Sequence, residues 1–253
     1  MSHISETERK VVRLNPKENG MTPTLSIRMD VLDDFFQEPT QLLRPATMPR
    51  VLLASKSPRR RALLTEFGIE HSAAQTGVDD GLLVRGGVTP AEWVAALAYF
   101  KAAAAMRGLG DWSYTPGEMV IVGADTVVRK GRDLIGQPRD AAHAEQTIRT
   151  LRNGSHDVLT GVALIDAGTG ERDMFVDVAT VNVGEIHDDL IRDYVATGQW
   201  SGKAGAYNLR ERINDGWPIQ FTGDPTTIMG LPMQRLVSRL AEFADRCVRK
   251  SLA

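Results

Sequence analysis

Ser55-Lys56-Ser57-Pro58-Arg59-Arg60-Arg61 gathers two hydroxyls and three guanidinium groups around a helix-start signal, with Ser57 as N-cap and Pro58 at the first helical position. Arginines in a first turn face the positive end of the helix dipole, at a cost of about 0.3–1 kcal/mol per exposed charge. Acidic residues are the usual occupants of such a turn. The reversal makes sense if an anion binds there, because free backbone N–H groups, the hydroxyls of Ser55 and Ser57 and the fork of Arg59 can all donate to phosphate oxygens. A solvated basic turn is the alternative on spacing alone. The turn is not a P-loop, since no G-x-x-x-x-G-K-[ST] occurs in the chain.

Asp125 interrupts the apolar run VIVGADTVV at 120–128. A carboxylate in that setting must be paired, hydrogen-bonded or metal-bound to stay charged, or else cap a neighbouring turn. Asp79 and Asp80 supply further carboxylates in a loop, and a carboxylate pair could hold Mg²⁺, which takes oxygen ligands and bridges to phosphates. Lys101 lies at the edge of an apolar helix face, where a lysine commonly snorkels to water unless a phosphate is near. The loop Ser201-Gly202-Lys203-Ala204-Gly205-Ala206-Tyr207 offers a lysine and an aromatic between glycines, suited to phosphate or base contact or to an ordinary connection. His71, His143, His156 and His187 have no metal-ligand spacing, and G-x-S-x-G is absent, so neither a zinc protease nor a serine hydrolase is indicated.

These groups need a frame, and the chain supplies an alternating one. Residues 1–48 are polar and broken by prolines, apart from an apolar patch at Leu32, Phe35 and Phe36, and read as a disordered extension; the domain spans 49–253. VLLAS from Val51 reads as a buried strand feeding a helix that stops at Gly68. Thr89-Pro90-Ala91-Glu92 is a capping box opening a helix with Trp93, Leu97, Phe100 and Ala104 on one face. Residues 119–122 and 126–128 read as strands separated by Gly123-Ala124-Asp125, followed by a helix over 138–151. Strands at 158–165 and 174–183 flank a turn at 166–170, and helices follow at 188–197 and 232–248. Interleaved strands and helices predict an α/β protein.

Composition narrows the function classes. With 42% apolar and 25% charged residues the chain is globular, and a net charge of -2 supplies no basic field for nonspecific nucleic-acid binding. Any anion site is therefore built locally. The single cysteine, Cys247, excludes an internal disulfide framework and fits a reducing compartment. No run of about 18 apolar residues suggests a membrane span, and the N-terminus lacks the apolar core of a signal peptide, so cytoplasmic residence is expected.

Taken in order, LLASKSPRRRALL at 52–64, VDD at 78–80, LAYFKA at 97–102, VIVGADTVV at 120–128, IGQPRDAAHA at 135–144, HDVLTGVAL at 156–164, SGKAGAY at 201–207 and GLP at 230–232 resemble the Maf family of nucleotide pyrophosphatases. The resemblance spans 49–243 and implies an inosine-triphosphatase-like α/β fold, with an elongated mixed sheet, flanking helices, a cleft between two lobes and often a homodimer. It implies hydrolysis of a nucleoside triphosphate between its α and β phosphates, with a divalent cation, Mg²⁺ or Mn²⁺. The family's catalytic aspartate falls on Asp125, its specificity positions on Arg59 and Thr126, and its cleft-lining acid and lysines on Asp80, Lys101 and Lys203. Asp80 and Asp125 are the implied metal ligands, while Ser55, Ser57, Arg59, Lys101 and Lys203 position phosphates.

Three departures bear on substrate. Gln137 replaces the lysine usual before Pro-Arg-Asp, and Gly223-Asp224-Pro225-Thr226-Thr227-Ile228-Met229 replaces an acidic-aromatic approach to Gly-Leu-Pro. The usual Ala-Gly-Ala-Tyr-Gly-Ile-Gln-Gly ends here as Asn208-Leu209-Arg210-Glu211, so Arg210 stands where a base-reading glutamine is expected. Arg210 could read acceptor-rich base edges or turn toward the phosphates. The family implies dTTP and UTP for one branch and 7-methyl-GTP for another, and Arg59 with Thr126 resembles the first. The alternatives are a nucleotide-binding or division-linked regulator of the same fold without turnover, and a nucleic-acid-binding module built on Arg59–Arg61.

Overall fold

The computed structural model describes residues 48–78, 85–110 and 113–253. Within them a mixed sheet of seven strands runs in the order β2-β1-β3-β5-β6-β7, with β4 also paired to β3. β1 (Arg50–Ala54) is parallel to β2 (His71–Ala74) and to β3 (Met119–Lys130). β3, β5 (Gly154–Asp166), β6 (Arg172–Val183) and β7 (Ile219–Thr222) form an antiparallel series, and β4 (Asp133–Ile135) folds back on β3. The helices are α1 (Pro58–Glu66), α2 (Pro90–Gly108), α3 (Ala141–Leu151), α4 (Asp188–Ala196), α5 (Leu209–Asn214), α6 (Pro225–Ile228) and α7 (Met233–Ser251). None of the described helices is long and apolar enough to cross a membrane.

One sheet face carries two hydrophobic cores. Val120, Val122 and Ala124 of β3, with Val162 and Leu164 of β5, pack under α1 and α7. Further along the same strands, Val128, Val158 and Val181 pack under α3, α4 and α5. Strand alternation leaves Thr126, Thr160 and Asp177 between the two cores, directly paired across β3, β5 and β6. The apolar face is thus cut by a polar seam, and the two lobes are the two cores on either side of it. Thr126 Oγ1 and Thr160 Oγ1 lie 2.9 Å apart, Thr160 donates to the Thr227 carbonyl at 2.8 Å, and the Thr227 hydroxyl donates to Asp177 at 2.5 Å. Every polar group of the seam therefore has a partner, as burial requires.

The opposite face is covered by α2, and two glycines decide how closely. A Cβ on Gly123 would sit 2.1 Å from the Ala98 carbonyl oxygen, and one on Gly161 would sit 2.5 Å from that of Val94. Helix and sheet can touch backbone to backbone only because neither position carries a side chain.

Several expectations from sequence are corrected by these elements. β3 runs unbroken through Gly123-Ala124-Asp125, because ten consecutive residues pair with β5 and carry the strand across its small and polar positions. The helix expected from Pro138 begins at Ala141, since Asp140 is its N-cap and accepts from the His143 N–H at 2.7 Å. The inward face of α2 is Val94, Leu97, Ala98, Ala102 and Ala105, whereas Phe100 is 43% exposed and Trp93 is only partly covered. Close approach at Gly123 and Gly161 admits alanines there and turns the large rings away. The capping box is as expected, with Thr89 Oγ1 accepting from the Glu92 N–H and the Glu92 carboxylate accepting from the Thr89 N–H. Leu32, Phe35 and Phe36, with residues 1–47, lie outside the described residues; Met48 packs partly against the first core.

Candidate active site

β3 pairs with β1 only as far as Gly123 and with β4 only from Val128. Among the described residues, no strand pairs with 124–127 on that side, and a cleft of about 590 Å³, open to solvent, occupies the gap at the carboxyl end of β1. This is where open α/β sheets bind ligands, outside the carboxyl ends of parallel strands where a helix begins. Asp125 and Thr126, although on opposite sheet faces, both reach the cleft at this interrupted edge.

Asp125 receives the Lys101 ammonium at 2.5 Å, and both side chains are nearly buried, 11% and 13% exposed. Lys101 sits one turn beyond Leu97 and one turn before Ala105, so it belongs to the inner stripe of α2 rather than to its edge. The glycine contacts that draw α2 onto β3 and β5 are what bring this lysine to the aspartate. A charge-assisted bond of this kind offsets the burial of both groups.

The opposite wall is the start of α1. Ser57 takes the extended conformation of an N-cap, but its hydroxyl makes no capping bond. Arg59 donates to the Gly202 carbonyl at 3.1 Å, tying α1 to the loop before the Ala204–Ala206 turn. Burial lowers its pKa from the ordinary arginine value, against the raising influence of the Glu211 carboxylate. Arg60 contributes more to the architecture than its sequence suggests. Its guanidinium donates to the Gly230 carbonyl at 2.7 Å, to Ser55 Oγ at 3.1 Å and to Thr126 Oγ1 at 3.1 Å. One side chain thereby joins the end of β1, the centre of β3 and the segment before α7.

Of the residues singled out from sequence, Ser57, Arg59, Lys101, Asp125 and Thr126 line the cleft together. Ser55 is buried behind them, accepting from the Ser57 N–H at 3.2 Å and from Arg60. Lys203 is buried beside the lining residues Gly202 and Ala204, with its ammonium 2.5 Å from Glu211. Arg210 is not among the lining residues, and its guanidinium reaches Glu66, the last residue of α1, at 3.4 Å. Gln137 lines the cleft; Asp79 and Asp80 lie outside the described residues. Sequence reading missed Arg60, Thr160 and Glu211 as contributors. The only available signal for Arg60 was its place in the first turn of α1; its bonds to Thr126 and Gly230, and those of Thr160 to Thr126 and Thr227, join positions distant in the chain.

No group of three or more His, Cys, Asp or Glu side chains suited to a metal ion occurs among the described residues. Asp125 is the one carboxylate among the cleft's described lining residues. That donor set fits a divalent ion of the magnesium type, which is commonly held by one or two carboxylates and otherwise by water and substrate phosphates.

Tyr207 also lines the cleft and donates to or accepts from His156 Nε2 at 2.9 Å; His156 is buried and its Nδ1 has no partner among the described residues. Burial, reinforced by the charge of Lys130, lowers the His156 pKa to about 4 from its ordinary 6.5. The folded state thus favours neutral imidazole, and the stability this gives is complete above pH 6.5 and is lost as pH falls toward 4. The full difference is on the order of 3 kcal/mol. Urea midpoints measured from pH 7 to pH 5 should fall more steeply for the native protein than for His156→Gln; parallel slopes would contradict the assignment.

A family model described as Maf-like protein matches residues 50–243. The chain is 38% identical over 196 residues to the dTTP/UTP pyrophosphatase of Pelotomaculum thermopropionicum, covering 78% of this chain and 97% of that one. It is also 38% identical to the dTTP/UTP pyrophosphatase of Salinibacter ruber, covering 77% and 92%. The enzyme of the same name from Desulforamulus reducens is 34% identical, with 79% and 100% covered. With a seven-stranded mixed sheet, a family model matched over residues 50–243 and relatives as much as 38% identical over most of their length, this chain belongs to the Maf family.

Proposed function

We propose that the chain is a nucleoside triphosphate pyrophosphatase that cleaves pyrimidine nucleotides of the dTTP and UTP kind to the monophosphate and pyrophosphate. The observation carrying this reading is the Lys101–Asp125 pair standing in a cleft whose facing wall is built from Arg59 and Arg60. The names of the relatives support the substrate class.

In this reading Arg59, Arg60 and the first-turn N–H groups of α1 hold the phosphate chain. Asp125 accepts the proton of the water that attacks the α-phosphorus, forming the new P–O bond as the bond to the pyrophosphate oxygen breaks. Lys101 keeps the Asp125 carboxylate aimed into the cleft and adds positive charge where negative charge develops. Asp125 would hold Mg²⁺ or Mn²⁺, with Asp80 proposed as a further ligand, and the ion would neutralise triphosphate charge. Thr126, fixed by Arg60 and Thr160, faces the same space and is proposed to take part in substrate choice. A cytoplasmic setting is proposed from the lone cysteine, which fits a reducing compartment.

A panel of UTP, dTTP, CTP, GTP and 7-methyl-GTP, assayed for pyrophosphate with Mg²⁺ or Mn²⁺, tests the proposal. Turnover is expected with UTP and dTTP above the others. Equal rates on all five would contradict the pyrimidine assignment, and no release from any would contradict the enzyme.

A further inference from the structure

Glu211 is the side-chain partner of a buried cation at the edge of the cleft. Lys203 is 7% exposed, and its ammonium lies 2.5 Å from Glu211 Oε2. Arg59 shares this neighbourhood, because its charge acts on Lys203 and the Glu211 carboxylate acts in turn on Arg59. Burial lowers the Lys203 pKa even with the carboxylate bonded to it, with Arg59 and Arg212 adding to the cost. A cation desolvated to this extent needs an anion beside it.

The carboxylate differs from the cations in its freedom. The Glu211 side chain is 44% exposed, while that of Lys203 is 9% exposed. An ion pair with one half-exposed member is held weakly, since water readily replaces the bond on the acidic side. The α5 backbone is secured independently, by Asn208 Oδ1 accepting from the Glu211 N–H at 3.3 Å. Moving the carboxylate outward therefore leaves the helix start intact.

We infer that Glu211 is a displaceable internal anion that holds Lys203 until a polyphosphate takes its place. This rests on the reading of the cleft as a triphosphate site. A monophosphate carries too little charge to displace the carboxylate and also meets its repulsion, so the device favours entry of the triphosphate and departure of the nucleoside monophosphate. The cost is weaker binding of every anion that contacts Lys203.

Calorimetric titration with inorganic pyrophosphate in metal-free buffer tests this on the native protein, Glu211→Gln and Glu211→Ala. Both variants are expected to bind pyrophosphate about 10-fold more tightly than the native protein, with KM for UTP lowered and kcat not raised. A merely structural partner of Lys203 would, on removal, leave affinity unchanged or weaken it, and either result in both variants would overturn the proposal. Glu211→Asp, which keeps the charge on a shorter stem, should stay within about 3-fold of the native affinity; a gain as large as that of the glutamine variant would also overturn it. If the native protein binds pyrophosphate and responds as expected at Glu211 yet hydrolyses no nucleotide, the functional reading fails while the displaceable anion stands.

Discussion

Asp125→Asn is expected to reduce nucleotide hydrolysis by at least ~10²-fold, the usual loss when a positioned base is removed, with fold and thermal midpoint close to native. The amide occupies the same volume and can still meet the Lys101 ammonium through its carbonyl oxygen, so the contact between α2 and β3 survives. What disappears is the acceptor for the proton of the attacking water. KM should change little, because Arg59 and Arg60 stand on the opposite wall and are untouched. A folded Asn variant with native turnover would remove Asp125 from the mechanism. Loss of folding would be distinguished by circular dichroism and repaired by Asp125→Glu only if the charge itself were structural.

The second large effect concerns the backbone that brings Lys101 into place. Gly123→Ala puts a methyl group 2.1 Å from the Ala98 carbonyl oxygen and 2.8 Å from the Ala102 nitrogen, and neither is the flexible end of a side chain. The helix must lift from the strand, which should cost about 3 kcal/mol, the upper end of the usual range for overpacking. The same displacement draws Lys101 away from Asp125, two residues along the strand on the same face as Gly123. Activity should therefore fall together with stability. Gly108→Ala, at the exposed end of the same helix with no atom within 4 Å of the new methyl, is the control. It should be neutral or stabilising by up to about 1 kcal/mol. Urea denaturation of both variants checks the contrast, and equal midpoints would show that α2 does not bear on Gly123 as described.

These two residues also mark what the sequence makes legible. Asp125 was visible because a carboxylate inside an apolar run demands a partner, and the start of α1 because Ser57-Pro58 is a local signal. The partner itself was not visible. Lys101 lies on another element, and its register depends on how near α2 can come to Gly123 and Gly161. For the same reason the inner face of α2 was misassigned: size points to Trp93 and Phe100, whereas close packing selects the alanines. Arg60 carried no mark separating it from Arg59 and Arg61, yet its bonds reach residues 66 and 170 positions away. Arg210, read from its loop position as facing substrate, is found beside Glu66, a neighbour that no local pattern announces. The polar seam is a matter of pairing register, which sets Thr126 opposite Thr160 and Thr160 opposite Asp177 only once β3, β5 and β6 are aligned.

Hydrolysis of UTP in ¹⁸O-labelled water tests the central claim most directly, because the label records which phosphorus the water attacks. Attack assisted by Asp125 at the α-phosphorus predicts one labelled oxygen in UMP, unlabelled pyrophosphate, and equal molar amounts of the two. Label recovered in pyrophosphate, or UDP with labelled orthophosphate as products, would contradict the account.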